Sequence, residues 1–346
     1  MATYDIPKTM RANVLLGQQK MQMEERPVPT PSAGQLLIKV LSVGVCGSDV
    51  HYYKTGECAG FQVEEPLILG HEASGVVVAA GSPEDENRVG ERVSIDPQVP
   101  CRKCRYCKTG HLNLCPQMQF YATPPVDGTF CDYVLAPADF AFTAPTQMSN
   151  NAAALLEPFN VGLWANMEAH TTLGSRVYIT GAGPIGTLTA LAAKSFGASE
   201  IIVSEPNPTR REMILKHGAT KVVDPTEDGF TTDGIEADVF IECTGVTDAI
   251  QSGLYALAPA GTCVFVGMGS NIVPLDVARI SVRELIVTGL FRYVHTWPKS
   301  IAAASQPFVN LDELVTAEFT LEEAEEALTS TGDPTSLKSV VVVNKE

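Results

Sequence analysis

What this 346-residue sequence lacks narrows its function first. It has no uninterrupted apolar run of the ~18 or more residues that a membrane-spanning helix needs, so no membrane partner is expected. The opening stretch MATYDIPKTMRANVLLGQQK lacks the basic start and apolar core of a signal peptide, and a cytoplasmic location is expected by default. Positive charge is scarce: 24 Lys and Arg stand against 40 Asp and Glu, a formal charge of −16. That balance disfavours nucleic acid phosphates and anionic lipid as partners. Biased tracts and internal repeats are absent too. With 45% hydrophobic and 18% charged residues, the chain reads as an ordinary globular protein of about two domains.

Cysteine is present, and its distribution is informative. Nine cysteines in a chain of this kind read as reduced thiols or metal ligands rather than a disulfide framework. Four of them fall between residues 97 and 125, where Pro97, Pro100, Pro116, Pro124 and Pro125 break any regular period and predict a long loop in need of another source of order. Before this loop, β-branched and apolar runs at residues 36–43 and 75–80 predict a β-rich first third. After Ala152 the pattern changes. Short strands at 176–180, 201–204, 221–223, 239–243, 262–266 and 285–288 alternate with helices, which predicts a parallel sheet covered on both faces. From about residue 296 there follow a Glu-rich helix at 321–329 and a final strand at 339–343.

The first of these later strands runs into Gly181-Ala-Gly183-Pro-Ile-Gly186 and then a helix that continues to Phe196. In a strand, G-x-G-x-x-G, helix context, Gly181 permits the tight turn, Gly183 lets backbone approach a pyrophosphate and Gly186 lets the helix pack closely. The next strand ends at Glu205, about 20 residues on, where a carboxylate accepts hydrogen bonds from the adenosine ribose and repels a 2′-phosphate. NAD is therefore expected over NADP, with Arg210 nearby as the feature that would favour the phosphate. The plain alternative is a glycine turn with a surface glutamate.

Cys101, Cys104, Cys107 and Cys115 form C-x2-C-x2-C-x7-C, a spacing that lets four thiolates close a tetrahedron around zinc. A closed set leaves no position for substrate, so this zinc is structural. A sparser group consists of Cys46, His71, Glu72 and Glu157, which offer thiolate, imidazole and carboxylate ligands for an open, catalytic site. Each also fits a structural part, Cys46 as a small core residue, His71 as a satisfied buried histidine and Glu157 as a helix-end carboxylate, so spacing leaves this second site open.

Taken together, Gly44-Val-Cys-Gly-Ser-Asp-Val-His51, Gly70-His-Glu-Ala-Ser-Gly75, the four-cysteine stretch, Glu157-Pro158 and Gly181 to Gly186 resemble the zinc-containing medium-chain dehydrogenases over nearly the whole chain. His51-Tyr-Tyr53, Ala122-Thr-Pro-Pro-Val-Asp-Gly128, Gly289-Leu-Phe-Arg-Tyr293 and Thr296-Trp-Pro298 resemble, within that family, the polyol dehydrogenases for sorbitol, xylitol and arabinitol. The resemblance implies an α/β protein: a GroES-like, β-rich catalytic domain of residues 1–158 and 296–346, with a doubly wound parallel-sheet Rossmann domain of residues 159–295 inserted. It implies a catalytic zinc on Cys46, His71 and Glu72, with Glu157 bound directly or through water, and Ser48 and His51 as proton carriers beside Glu157. Tyr52, Phe120, Glu157, Arg292 and Tyr293 are expected to line the substrate cleft. Ile185, Glu205, Arg210, Val266, Gly267, Met268, Leu290, Phe291 and Arg292 are expected to contact NAD beside the three glycines. Hydride would pass from a secondary hydroxyl of a polyol to NAD, giving a ketose, in a homotetramer. The competing functions are a zinc alcohol or threonine dehydrogenase and a non-catalytic NAD-binding protein. Glu205 departs from the aspartate common in NAD-dependent relatives.

Overall fold

Beyond residue 158, alternation along each strand decides the architecture. Val177, Ile179, Ile201, Val203, Val239, Ile241 and Val264 fall in one buried apolar cluster, while Tyr178, Ile202, Phe240 and Cys263 fall in another. Successive side chains point to opposite faces of a sheet, so these strands are covered on both sides. The computed structural model describes residues 4–269, 272–333 and 335–345. In it, strands Arg176–Thr180, Glu200–Ser204, Lys221–Val223, Ala237–Glu242, Leu257–Phe265 and Ile286–Gly289 make one six-stranded sheet, every pairing parallel. Numbered along this unit, they lie in the order 3-2-1-4-5-6, the doubly wound arrangement that binds dinucleotides where the order reverses.

The other unit is β-rich. Gln35–Gly44 pairs antiparallel with Glu72–Ala80, with Tyr133–Pro137 and with the C-terminal strand Lys338–Val342, which itself runs parallel to Val315–Thr320. Thr9–Gly17 and Lys20–Pro27 form a separate ladder with Leu67–Ile68. One continuous core unites them, from Ala12, Val14 and Leu36 to Leu328 and Val341.

The two compact units are Met1–Glu157 with Asn310–Glu346, and Pro158–Val309. The chain thus rejoins the first unit at Asn310, later than the expected residue 296. The reason lies in packing: Tyr293 meets Trp297 edge-on at 6.2 Å between ring centroids, Lys299 Nζ lies 3.8 Å from Met167 Sδ, and Lys194 sits 5.0 Å over the Phe308 ring. These contacts keep helix Trp297–Ala304 and its exit with the sheet of the second unit. Residues 97–125 are also more ordered than expected. Gln98–Val99 pairs with Gln119–Phe120 at the base, and helix Arg105–Lys108 lies between. Among the described residues, no helix is long and apolar enough to cross a membrane.

Candidate metal and cofactor sites

Cys46 caps the start of helix Gly47–Thr55, at the end of the extended chain that leaves Gln35–Gly44. His71 and Glu72 open the neighbouring strand, and register places Gly44 opposite Glu72. One ligand atom from each of Cys46, His71 and Glu72 lies within 4.8 Å of the others. His71 and Glu72 are buried and Cys46 is half-buried. A buried oxygen of Glu72, Oε2, has no protein partner, and a side chain on Gly44 would come within 2.0 Å of it. An acceptor held in this way beside a thiol and an imidazole fits zinc.

Asp49, which the sequence motif contains but whose role it does not disclose, holds this group together. Its Oδ2 accepts from Cys46 N at 3.1 Å, its Oδ1 accepts from Gly70 N at 2.9 Å, and Oδ1 stands 3.6 Å from His71 Nδ1. With Nδ1 turned to Asp49, Nε2 is the nitrogen left for a metal, the usual carboxylate–histidine arrangement. Burial disfavours a charged His71, yet Asp49 and Cys46 outweigh it and raise the ring well above its ordinary pKa. The surroundings of His71 are anionic and favour a cation.

Lys338 is the second residue that motif reading missed. Its ammonium is buried and donates to Glu72 Oε1 at 2.5 Å and to Val45 O at 2.8 Å. Burial works against this charge, but Glu72 and Cys46, with Glu157 contributing, hold its pKa above the usual value. Glu157 is itself buried, in the first turn of helix Leu156–Glu168. Phe120 lies with its ring 5.4 Å from that of His71, whereas Tyr52 packs into the core of the unit. Ser48 is half-buried and His51 exposed on helix Gly47–Thr55.

The four cysteines of the loop also converge. Their sulfur atoms all lie within 4.8 Å of one another, with Cys104 to Cys107 at 3.5 Å and Cys104 to Cys115 at 4.0 Å, and none is in a disulfide. Backbone N–H groups help: Cys107 N donates to Cys104 Sγ and Cys101 N to Cys115 Sγ. Hydrogen bonding from the Lys103 amide pulls the Cys101 thiol down, while desolvation and the neighbouring Cys104 push Cys107 up. Four thiols this close resist ionising together without a cation among them, and four thiolates suit zinc. Among the described residues these are the two groups that could hold a metal.

In the second unit the glycine turn has the expected geometry. Gly181 has φ +91°, a backbone region that favours glycine, and a side chain on Gly186 would strike Gly181 O at 2.0 Å. A side chain on Gly183 would meet nothing within 4 Å, and no side chain caps the helix Pro184–Ser195 that follows. An open turn leading to free helix N–H groups fits a pyrophosphate. Ile185 sits half-buried in that first helical turn. Glu205 directly follows the second strand and is buried, with Oε2 accepting from Ala182 N at 2.8 Å and Oε1 from Asn207 N at 2.9 Å. Arg210 N donates to the capping Asn207, while Arg211 takes the ion pair with Asp224.

Val266 N and Gly267 N both donate to Glu242 O, which fixes the turn toward exposed Met268. Leu290 N donates to Phe265 O, and Arg292 lies 4.7 Å over the exposed Phe291 ring. Tyr293 is fully buried against Trp297, so within its own unit it packs as a core aromatic.

Comparison with known proteins identifies the family. Residues 32–146 match the alcohol dehydrogenase GroES-like domain and residues 184–306 the zinc-binding dehydrogenase family. A sorbitol dehydrogenase of Bacillus subtilis is 41% identical over 333 residues, 94% of this chain and 94% of its own. One of Gallus gallus is 38% identical over 319 residues, 90% of each chain. The crystal structure of L-idonate 5-dehydrogenase from Escherichia coli superposes with a TM-score of 0.91 at 29% identity, covering 97% of this chain and 98% of that one.

Proposed function

Because the chain belongs to the zinc-containing medium-chain dehydrogenases, we propose that it oxidises a small polyol at a secondary hydroxyl, with zinc and NAD, to give a ketose. The observation that carries the polyol reading is the buried carboxylate of Glu157, which helps to raise the pKa of Lys338, the lysine that bonds Glu72. A carboxylate there accepts hydrogen bonds from the hydroxyls that flank the reacting carbon of a polyol, which a simple alcohol does not offer. Names among the relatives point the same way.

When bound, zinc supplies a Lewis acid and the dinucleotide a hydride acceptor. The chain's own residues hold and orient. Cys46, His71 and Glu72 form an open ligand set, ordered by Asp49 and Lys338. Ser48 lies two residues past Cys46, and exposed His51 follows it at i+3 on the same helix face, which gives the substrate proton a route outward. Cys101, Cys104, Cys107 and Cys115 form a closed structural site. NAD is favoured by Glu205, whose carboxylate follows the second strand and bonds the glycine turn. Association into a homotetramer is supported by the edge strand Ile286–Gly289, with Ile286 exposed, and by the preceding helix Val277–Val282, where Val277 and Val282 are exposed.

The test is a panel of sorbitol, xylitol, arabinitol, galactitol, simple alcohols and threonine, each with NAD and NADP, followed by reduced nicotinamide absorbance. Polyol turnover with NAD, well above that with the other substrates, is expected. Turnover confined to simple alcohols or to threonine overturns the substrate assignment. No turnover with any of them leaves a dinucleotide-binding protein without catalysis.

A further inference from the structure

A lysine ammonium is among the groups least often buried, and when buried it is paired. Lys338 is 4% exposed, yet it stands at the start of the last strand, a stretch whose sequence predicts only sheet. Its two acceptors are the point. One is Glu72 Oε1, on a carboxylate whose other oxygen has no protein partner and rests over the bare Cα of Gly44. The second is Val45 O, the carbonyl immediately before Cys46. Val45 is held from its other side as well, since its N–H donates to Ser339 O at 2.9 Å. The C-terminal strand therefore grips the chain next to one ligand and the side chain of another.

We propose that Lys338 is a positioning residue for the metal: it presets Glu72 and the backbone leading into Cys46, so that both meet the ion without reorganising. This rests on the reading of Cys46, His71 and Glu72 as metal ligands. A charge-assisted bond to one carboxylate oxygen fixes the plane of the group and leaves the other oxygen free to ligate. Groups that orient metal ligands in this way are worth about 10–100-fold in metal affinity. The four-cysteine site is a separate group in the same unit, so it reports whether a variant is merely misfolded.

The experiment uses the full chain loaded with cobalt, and with zinc in parallel, titrated against a competing chelator so that the affinities of the two sites are obtained separately, alongside the thermal midpoint. The parent should hold two metals. Lys338→Met should weaken the site with Cys46 by about 10–100-fold while leaving the four-cysteine site unchanged. Lys338→Arg should restore most of the loss. If Lys338→Met does not accumulate folded protein, Lys338→Gln, neutral but still able to donate, should show the same selective loss. Equal affinities in the variant and the parent, or parallel weakening of both sites, would overturn the positioning role. A parent that binds metal only at the four cysteines would overturn the metal reading beneath it, and that result is visible before any variant is made.

Discussion

The Glu205 carboxylate is already engaged by two backbone N–H groups, those of Ala182 within the glycine turn and Asn207 beyond the strand. The glutamate arm reaches the glycine turn itself, through its bond from Ala182 N. A phosphate brought to this position would face a buried negative charge. Glu205→Gln keeps an acceptor and removes the charge, so it should narrow the NAD-over-NADP ratio of kcat/KM by roughly tenfold, about 1.4 kcal/mol. Glu205→Ala should narrow it too and lower kcat/KM with NAD, because the turn loses its tie. Steady-state kinetics with both cofactors checks this, and an unchanged ratio in Glu205→Gln would dismiss the charge argument.

Among the elements, the strand, turn and helix around Gly181 to Gly186 separate fold from binding. Gly183 has φ −72° and open space around its missing side chain, so Gly183→Ala should fold normally and lose NAD affinity on the order of tenfold, about 1.4 kcal/mol. Gly186→Ala drives a methyl group into Gly181 O and should cost about 1–3 kcal/mol of stability instead. NADH fluorescence titration and thermal melts on the pair would show it; equal effects on binding and melting would remove the distinction. This turn and the four-cysteine loop were legible in the sequence because their parts are near neighbours along the chain. Lys338 was not legible, since its bond to Glu72 spans 266 residues and depends on the register of the last strand against Gln35–Gly44. Asp49 lay in plain view beside Cys46, but its function depends on where Gly70 and His71 return. The strand pattern likewise predicted the parallel sheet and missed the point of return at Asn310, because aromatic packing around Trp297 has no local signature.

For the molecule as a whole, the division of labour is by unit. The residues proposed to hold metal and carry the proton belong to Met1–Glu157 with Asn310–Glu346, and the glycine turn proposed to hold the dinucleotide belongs to Pro158–Val309. The two groups that could hold a metal sit in the same unit but differ in make-up, one of three ligand atoms held by Asp49 and Lys338, the other of four sulfurs. The central claim is that the open group performs the chemistry and the closed one only orders its loop. It is tested most directly by polyol turnover and zinc content measured together on Cys46→Ser and Cys104→Ser. Cys46→Ser should keep one zinc, bind NAD, melt near the parent temperature and lose at least about 100-fold in turnover. Cys104→Ser should melt lower while its folded fraction still turns over. Near-parental turnover by Cys46→Ser protein that holds a single zinc per chain would contradict the account.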